Sequence, residues 1–176
     1  MSRPLVIARV NNHCDSGECM QDLARRVASK TEIQIPESHP FRRTYLTDEI
    51  GAVRESMGYR LHLLDNPSGV AAPFLVARRI EDPALPTVLT YGHGDVIRGL
   101  DKEWKEGLSP WSLSESKGRW YGRGRADNQG PHSGNTGGMR PVQAARGGHG
   151  VDAQDRAETE RGRGGVVLRG TGRDRQ

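Results

Sequence analysis

Thr87-Val-Leu-Thr-Tyr91, an apolar and β-branched run, passes without a break into Gly92-His93-Gly94-Asp95, and this constrains the fold more than any other stretch. Such a run reads as a strand. In open α/β sheets the reactive groups stand just beyond the carboxyl ends of strands, which is where His93 and Asp95 fall. A second segment, Tyr121-Gly-Arg-Gly-Arg-Ala-Asp-Asn-Gln-Gly130, offers a further carboxylate, Asp127, behind glycines that let the backbone turn sharply.

The rest of the first 130 residues supplies helices and strands around these motifs. Asp15-Ser-Gly-Glu18 predicts a helix start, with Asp15 as the cap and Glu18 reaching back to free backbone N–H groups. Met20, Leu23, Ala24 and Val27 then lie on one helical face. A second helix carries Leu46, Ile50, Val53 and Met57 on one side and stops at Gly58. From Tyr59 the period changes: Arg60–Leu64, Pro73–Ile80 and Thr87–Tyr91 read as strands, with a turn at Asn66-Pro-Ser-Gly69. The expected fold class is α/β, helices packed on a mixed sheet. Trp104, Trp111 and Trp120 lie between the two motifs, and their expected role is to pack a long loop against that sheet rather than to touch substrate.

An imidazole and a carboxylate brought together in this way suit a divalent metal. Zinc hydrolases use neutral histidine and carboxylate ligands with one position left for water, and one carboxylate can bridge two ions. His93 supplies a nitrogen. Asp95, two residues on and on the same side of an extended backbone, suits the role of fixing the imidazole tautomer. Asp127 suits a bridge. Cys14 and Cys19 read as free thiols, because with His13 they match no usual zinc spacing.

Tyr91-Gly-His-Gly-Asp-Val96, Trp104, Pro110-Trp111 and Tyr121-Gly-Arg-Gly-Arg-Ala-Asp-Asn-Gln-Gly130 together resemble the N-terminal part of the zinc aminoacylase and carboxypeptidase family, which includes acetylornithine deacetylase, succinyl-diaminopimelate desuccinylase and carnosine dipeptidases. The resemblance covers about Asp15 to Gly130. It implies an α/β catalytic domain with two zinc ions, or cobalt or manganese in their place, that hydrolyses an amide bond in a small peptide or N-acyl amino acid. By position, His93 binds one zinc, Asp95 orients it, and Asp127 bridges both. The resemblance also implies a Glu-Glu pair (general base and ligand), a further acidic ligand, and a late histidine after an inserted lid or dimerisation domain. None stands here in recognisable form. Glu158 and Glu160 are split by Thr159, and His132 and His149 lack a supporting context, so none receives a role. The expectation is a metal-dependent hydrolase present as an incomplete catalytic domain, with negligible turnover from this chain.

Composition matters mainly in residues 131–176, expected to form a separate, disordered tail. This stretch holds eleven glycines and eight arginines, with no lysine, no aromatic residue and only five Leu, Ile, Val or Phe residues, too few to order it by burial. Against its three aspartates and two glutamates it carries +3 of the chain's net charge of +4. A Gly- and Arg-rich segment without lysine is what a GC-rich gene yields in a shifted reading frame, so residues from about Pro131 read as an out-of-frame extension; a truncated relative with a disordered tail is the rival. Arg161-Gly-Arg-Gly-Gly165 raises an alternative, an RNA-binding or non-catalytic interaction protein, but one short tract without stacking aromatics makes a poor nucleic-acid site. With no apolar run long enough to span a bilayer and no uncharged signal-peptide core, the expected location is cytoplasmic.

Overall fold

The computed structural model describes residues 3–68, 72–145 and 166–169. Two antiparallel-sheet strands, β1 (Arg60–Leu64) and β2 (Phe74–Arg78), form where expected. On β2 the alternation is clean: Leu75 and Ala77 are buried, and Phe74, Val76 and Arg78 are half-buried, the period of two that a one-sided sheet requires. The turn between the two strands is helped by Asn66, whose Oδ1 accepts from the Ser68 backbone N–H at 3.0 Å.

Against this face lies one helical rod in three parts: α3 (His39–Thr44), a π-helical stretch Tyr45–Gly51, and α4 (Ala52–Ser56). Its inward residues Tyr45, Leu46 and Ile50 meet Leu75 and Ala77, with Tyr59, Leu61 and Leu63 at the margin. Gly51 fits there because a Cβ would stand 3.0 Å from the Leu46 carbonyl oxygen and 3.1 Å from Leu61 Cδ1. Gly58 ends the rod with φ +78°, a left-handed conformation that costs glycine little.

The N-terminal region differs from expectation. Arg3–Asp15 forms a helix, α1, and Asp15 ends it rather than capping the next one, α2 (Glu18–Val27). The N-cap of α2 is Gly17 at φ 82°, with no side-chain cap, and the Glu18 carboxylate instead meets His13 Nδ1 at 2.8 Å. The anticipated apolar stripe on α2 is present, with Leu23 and Val27 buried. Among the described residues no helix is long and apolar enough to cross a membrane.

The sheet is mixed: β1 and β2 are followed by β6 (Val166–Arg169) and then by β3 (Tyr91–Gly92). β6 pairs antiparallel with β2 and parallel with β3. The third expected strand is much shorter than Thr87–Tyr91: only Tyr91–Gly92, here β3, is paired. β6 offers β3 just two register partners, Tyr91↔Val167 and Gly92↔Leu168, so residues 87–90 gain no ladder and Val88 and Leu89 stay exposed. A separate hairpin, β4 (Ser114–Ser116) and β5 (Arg119–Tyr121), turns through Lys117 and Gly118, both at positive φ.

The boundary expected after Gly130 falls inside a helix. α5 runs from Gln129 to Ala145 and packs against α1 and α2. Its contact face is polar: His132, Ser133 and Thr136 are buried, and Ser133 Oγ receives a 2.5 Å hydrogen bond from the buried Arg26 guanidinium. A count of Leu, Ile, Val and Phe misses order of this kind, which rests on specific polar contacts such as Arg26 to Ser133 and Tyr45 to His132. The helical propensity around 151–160, the pair Glu158 and Glu160, His149 and the Arg-Gly tract all lie outside the described residues.

Candidate functional site

Thr31, fully buried, joins the two motifs. Its hydroxyl donates to the Gly94 carbonyl at 2.5 Å and accepts from the Gln129 side-chain amide at 3.4 Å. On either side the backbone is held as a short parallel ladder: Val96 N–H donates to the Thr31 carbonyl and Ile33 N–H to the Val96 carbonyl, each at 3.0 Å. The loop after β3 is therefore fixed at both ends. The second motif is fixed by its own turn, in which Gln129 N–H donates to the Gly124 carbonyl at 2.9 Å with Gly124 at φ 76°. The Asp127–Asn128 peptide bond is cis.

These constraints bring His93, Asp95 and Asp127 together. His93 Nε2 lies 2.9 Å from Asp127 Oδ1, across 34 positions of sequence. The other ring nitrogen, Nδ1, lies 3.1 Å from the Asp95 carbonyl oxygen and 3.3 Å from Asp95 Oδ1. Nδ1 thus faces two acceptors of Asp95 and Nε2 faces the Asp127 carboxylate, so each ring nitrogen has an acceptor for its N–H and the metal-free ring is favoured as the imidazolium. Asp95 is buried, whereas the Asp127 side chain is 80% exposed and open to an incoming group.

The electrostatics favour positive charge at this point. The hydrogen bond that the His93 ring donates to the Asp95 carboxylate raises the His93 pKa to about 9, against an opposing effect of burial, with the Asp95 and Asp127 charges adding to the rise. A divalent cation would meet the same field. The 2.9 Å between Nε2 and Oδ1 also fits two donors on one edge of a single ion, given metal–ligand lengths of about 2 Å. The fit is to part of a site: among the described residues no group of three or more His, Cys, Asp or Glu is placed to hold a metal. Cys14 and Cys19 are free thiols, Cys14 exposed and Cys19 half-buried.

Two of the three tryptophans, Trp104 and Trp111, pack within the intervening loop, and Trp120 stands in β5. Trp104 donates its indole N–H to the Gly99 carbonyl at 2.8 Å and lies under the Arg123 guanidinium, while Trp111 donates to Asp101 at 3.0 Å.

Two residues beside the site were invisible in the sequence. Tyr45 and His132, both buried, share a 2.7 Å hydrogen bond between the phenol oxygen and Nδ1, and their rings stack with centroids 6.0 Å apart. Burial, with the positive charges of Arg26, His93 and Arg54, pushes the His132 pKa down to about 3, partly offset by the Gly92 backbone. His132 is therefore neutral. Its only sequence signal was an isolated histidine in a Gly-rich segment, and Tyr45, just before the helical face of Leu46, Ile50, Val53 and Met57, carried none.

No family model matches the chain. It is 43% identical over 68 residues to the Beta-Ala-His dipeptidase of Mus musculus, a match covering 38% of this chain and 13% of the mouse protein. It is 33% identical over 85 residues to the Cys-Gly metallodipeptidase dug1 of Schizosaccharomyces pombe, covering 47% of this chain and 17% of that protein. Its homologues are thus metallodipeptidases, matched over less than a fifth of their length. Among solved structures, human carnosine dipeptidase 1 superposes with a TM-score of 0.74 at 22% identity, covering 95% of this chain and 34% of that one. This likeness establishes the fold, the α/β arrangement expected from the motifs.

Proposed function

We propose that this chain carries the first two metal ligands of a metal-dependent hydrolase that cleaves amide bonds in small peptides, with dipeptides as the first class to test. The observation that carries this reading is the convergence of His93 Nε2 and Asp127 Oδ1 to 2.9 Å from opposite ends of the segment. His93 and Asp127 would hold the ion, with zinc the first candidate and cobalt or manganese next. An ion bound at Nε2 would displace the proton there, and Asp95 would hold the remaining proton on Nδ1; such partners also raise ligand basicity. When bound, the metal supplies an acidified water and a polarised carbonyl. The catalytic-domain segment begins in the N-terminal helices and runs on through α5, past the composition change at Pro131. Hydrolysis also needs a base to take the proton of the attacking water, and the Glu-Glu pair that the resemblance calls for does not stand in the sequence in recognisable form, so turnover from the 176-residue chain is expected to be negligible.

The test is zinc binding to the purified chain by competition with a chromophoric chelator, alongside Asp127→Ala and His93→Ala. Either substitution should weaken binding by at least about a hundredfold, since a ligand matters more than an outer partner, whose loss costs about 10–100-fold. Zinc binding that is unchanged by both would refute the site. Hydrolysis of β-Ala-His or Cys-Gly by this chain, abolished by Asp127→Ala, would support the hydrolase and overturn the expectation of negligible turnover.

A further inference from the structure

Gly92 and Gly94 flank His93, and each is pressed against one ring of the Tyr45–His132 pair. A Cβ at Gly92 would fall on His132, meeting Nε2 and standing 2.5 Å from Cδ2, and would stand 3.0 Å from Asn128 Oδ1. At Gly94 it would meet Tyr45, 2.5 Å from Cδ1. Real Cβ atoms do not approach so closely, so neither glycine leaves room for a side chain. Residues i and i+2 of an extended chain face the same way and the residue between them faces the other. The two glycines thus turn toward the rings, and His93 projects away from them toward Asp127.

We propose that Tyr45 and His132 are positioning residues: a hydrogen-bonded pair of rings on which the Gly92-His93-Gly94 backbone rests, and which sets where His93 Nε2 meets Asp127. The pair spans the two motifs. Tyr45 comes from the helical rod, whereas His132 stands in the first turn of α5, where its backbone N–H donates to the Asn128 carbonyl at 3.2 Å, next to Asp127. Displacing His132 therefore shifts both ligand-bearing segments. The pair is locked in one arrangement, because Tyr45 is 1% and His132 2% exposed and the 2.7 Å hydrogen bond fixes both ring orientations. Buried His132 Nε2 and Asn128 Oδ1, without hydrogen-bond partners in the structure, both lie against Gly92. The space beside Gly92 is thus taken up by the His132 ring and the Asn128 amide, so the backbone there cannot shift toward α5 without displacing one of them.

The metal half of this inference rests on the proposed function, so the experiment reads two quantities. The first is zinc affinity of the chain and of Tyr45→Phe, His132→Leu and His132→Asn. The second is the position of the His93 imidazole resonances in the metal-free chain, with far-UV circular dichroism as the check on folding. Tyr45→Phe keeps the ring under Gly94 and removes the hydroxyl; His132→Asn keeps a polar atom near the place of Nδ1; His132→Leu keeps bulk alone. His132→Leu should lower zinc affinity by roughly 10–100-fold, Tyr45→Phe by about tenfold, and His132→Asn should recover most of the loss, in line with the cost of removing an outer partner. The His93 resonances should move in the same order. If His132→Leu unfolds the chain, the same comparison is read from Tyr45→Phe and His132→Asn. Folded variants that bind zinc like the parent and leave the His93 resonances in place would overturn the proposal. A parent chain that binds no zinc, with His93 resonances that still move, would remove the metal reading and leave the positioning role standing.

Discussion

Burial of a neutral histidine makes stability depend on pH in one direction, and His132 allows the size to be worked out. Its pKa in the folded chain is about 3, against an ordinary value of 6.5. Between these values the unfolded chain binds a proton that the folded chain does not, so the contribution is full above pH 6.5 and is lost progressively as the pH falls toward 3. At pH 5 the gap from the unfolded value amounts to about 2 kcal/mol of lost stability. The charged groups facing the ring are Arg26 from α2, Arg54 from α4 and His93 from the loop after β3, with the Tyr45 hydroxyl as its hydrogen-bond partner. His93 works in the opposite sense: its pKa is raised to about 9, so the metal-free fold gains from its protonation as the pH falls. That gain is common to the parent chain and to His132→Asn, and the comparison cancels it. Urea denaturation of both chains, followed by circular dichroism at pH 7 and pH 5, should show the parent losing about 2 kcal/mol more than the variant. Equal losses would refute the claim that His132 is held neutral inside the fold.

Two further outcomes follow from the same geometry. Gly94→Ala puts a methyl group into the Tyr45 ring and should destabilise the chain by about 1–3 kcal/mol, the usual cost of overpacking, read as a lower urea midpoint with an unchanged slope; a midpoint equal to the parent's would mean that the loop can back away from Tyr45. Asp95→Ala removes the charged acceptor beside His93 Nδ1 and leaves the backbone carbonyl; it should weaken zinc binding by about 10–100-fold, so an affinity within about twofold of the parent would leave the Asp95 carboxylate without an orienting role.

The candidate site residues stand out in the sequence and the residues that support them do not, for different physical reasons. His93, Asp95 and Asp127 sit in short motifs whose chemistry is local: an imidazole two residues from a carboxylate on an extended backbone, and a carboxylate behind a glycine turn. The strands β1 and β2 were legible because alternation over five residues is a local signal as well. The extent of β3 was not, because a strand is as long as its partner allows, and that partner is Val166–Arg169, more than 70 positions away. The cap of α2 failed for a related reason. Asp15 is a good cap by type, but the preceding residues had already entered α1, and a residue cannot both end one helix and lend its side chain to the next two positions on.

His132 shows where reading by composition breaks down. Residues 131–145 are poor in large apolar side chains, and burial energy alone would leave them unstructured. In the structure this helix is held by specific polar contacts with groups far away in sequence: Tyr45 to His132, Arg26 to Ser133, and Thr31 to Gln129. A buried hydrogen bond contributes only about 1 kcal/mol net, yet leaving one partner unmet costs about 1–3 kcal/mol. A polar interface is therefore weaker than an apolar one but far less tolerant of the wrong neighbour. That intolerance is what a ligand site needs from its surroundings. An apolar bed under Gly92 and Gly94 could repack after a small displacement; a stacked phenol and imidazole joined by a 2.7 Å hydrogen bond holds one arrangement, and His93 inherits its position from it.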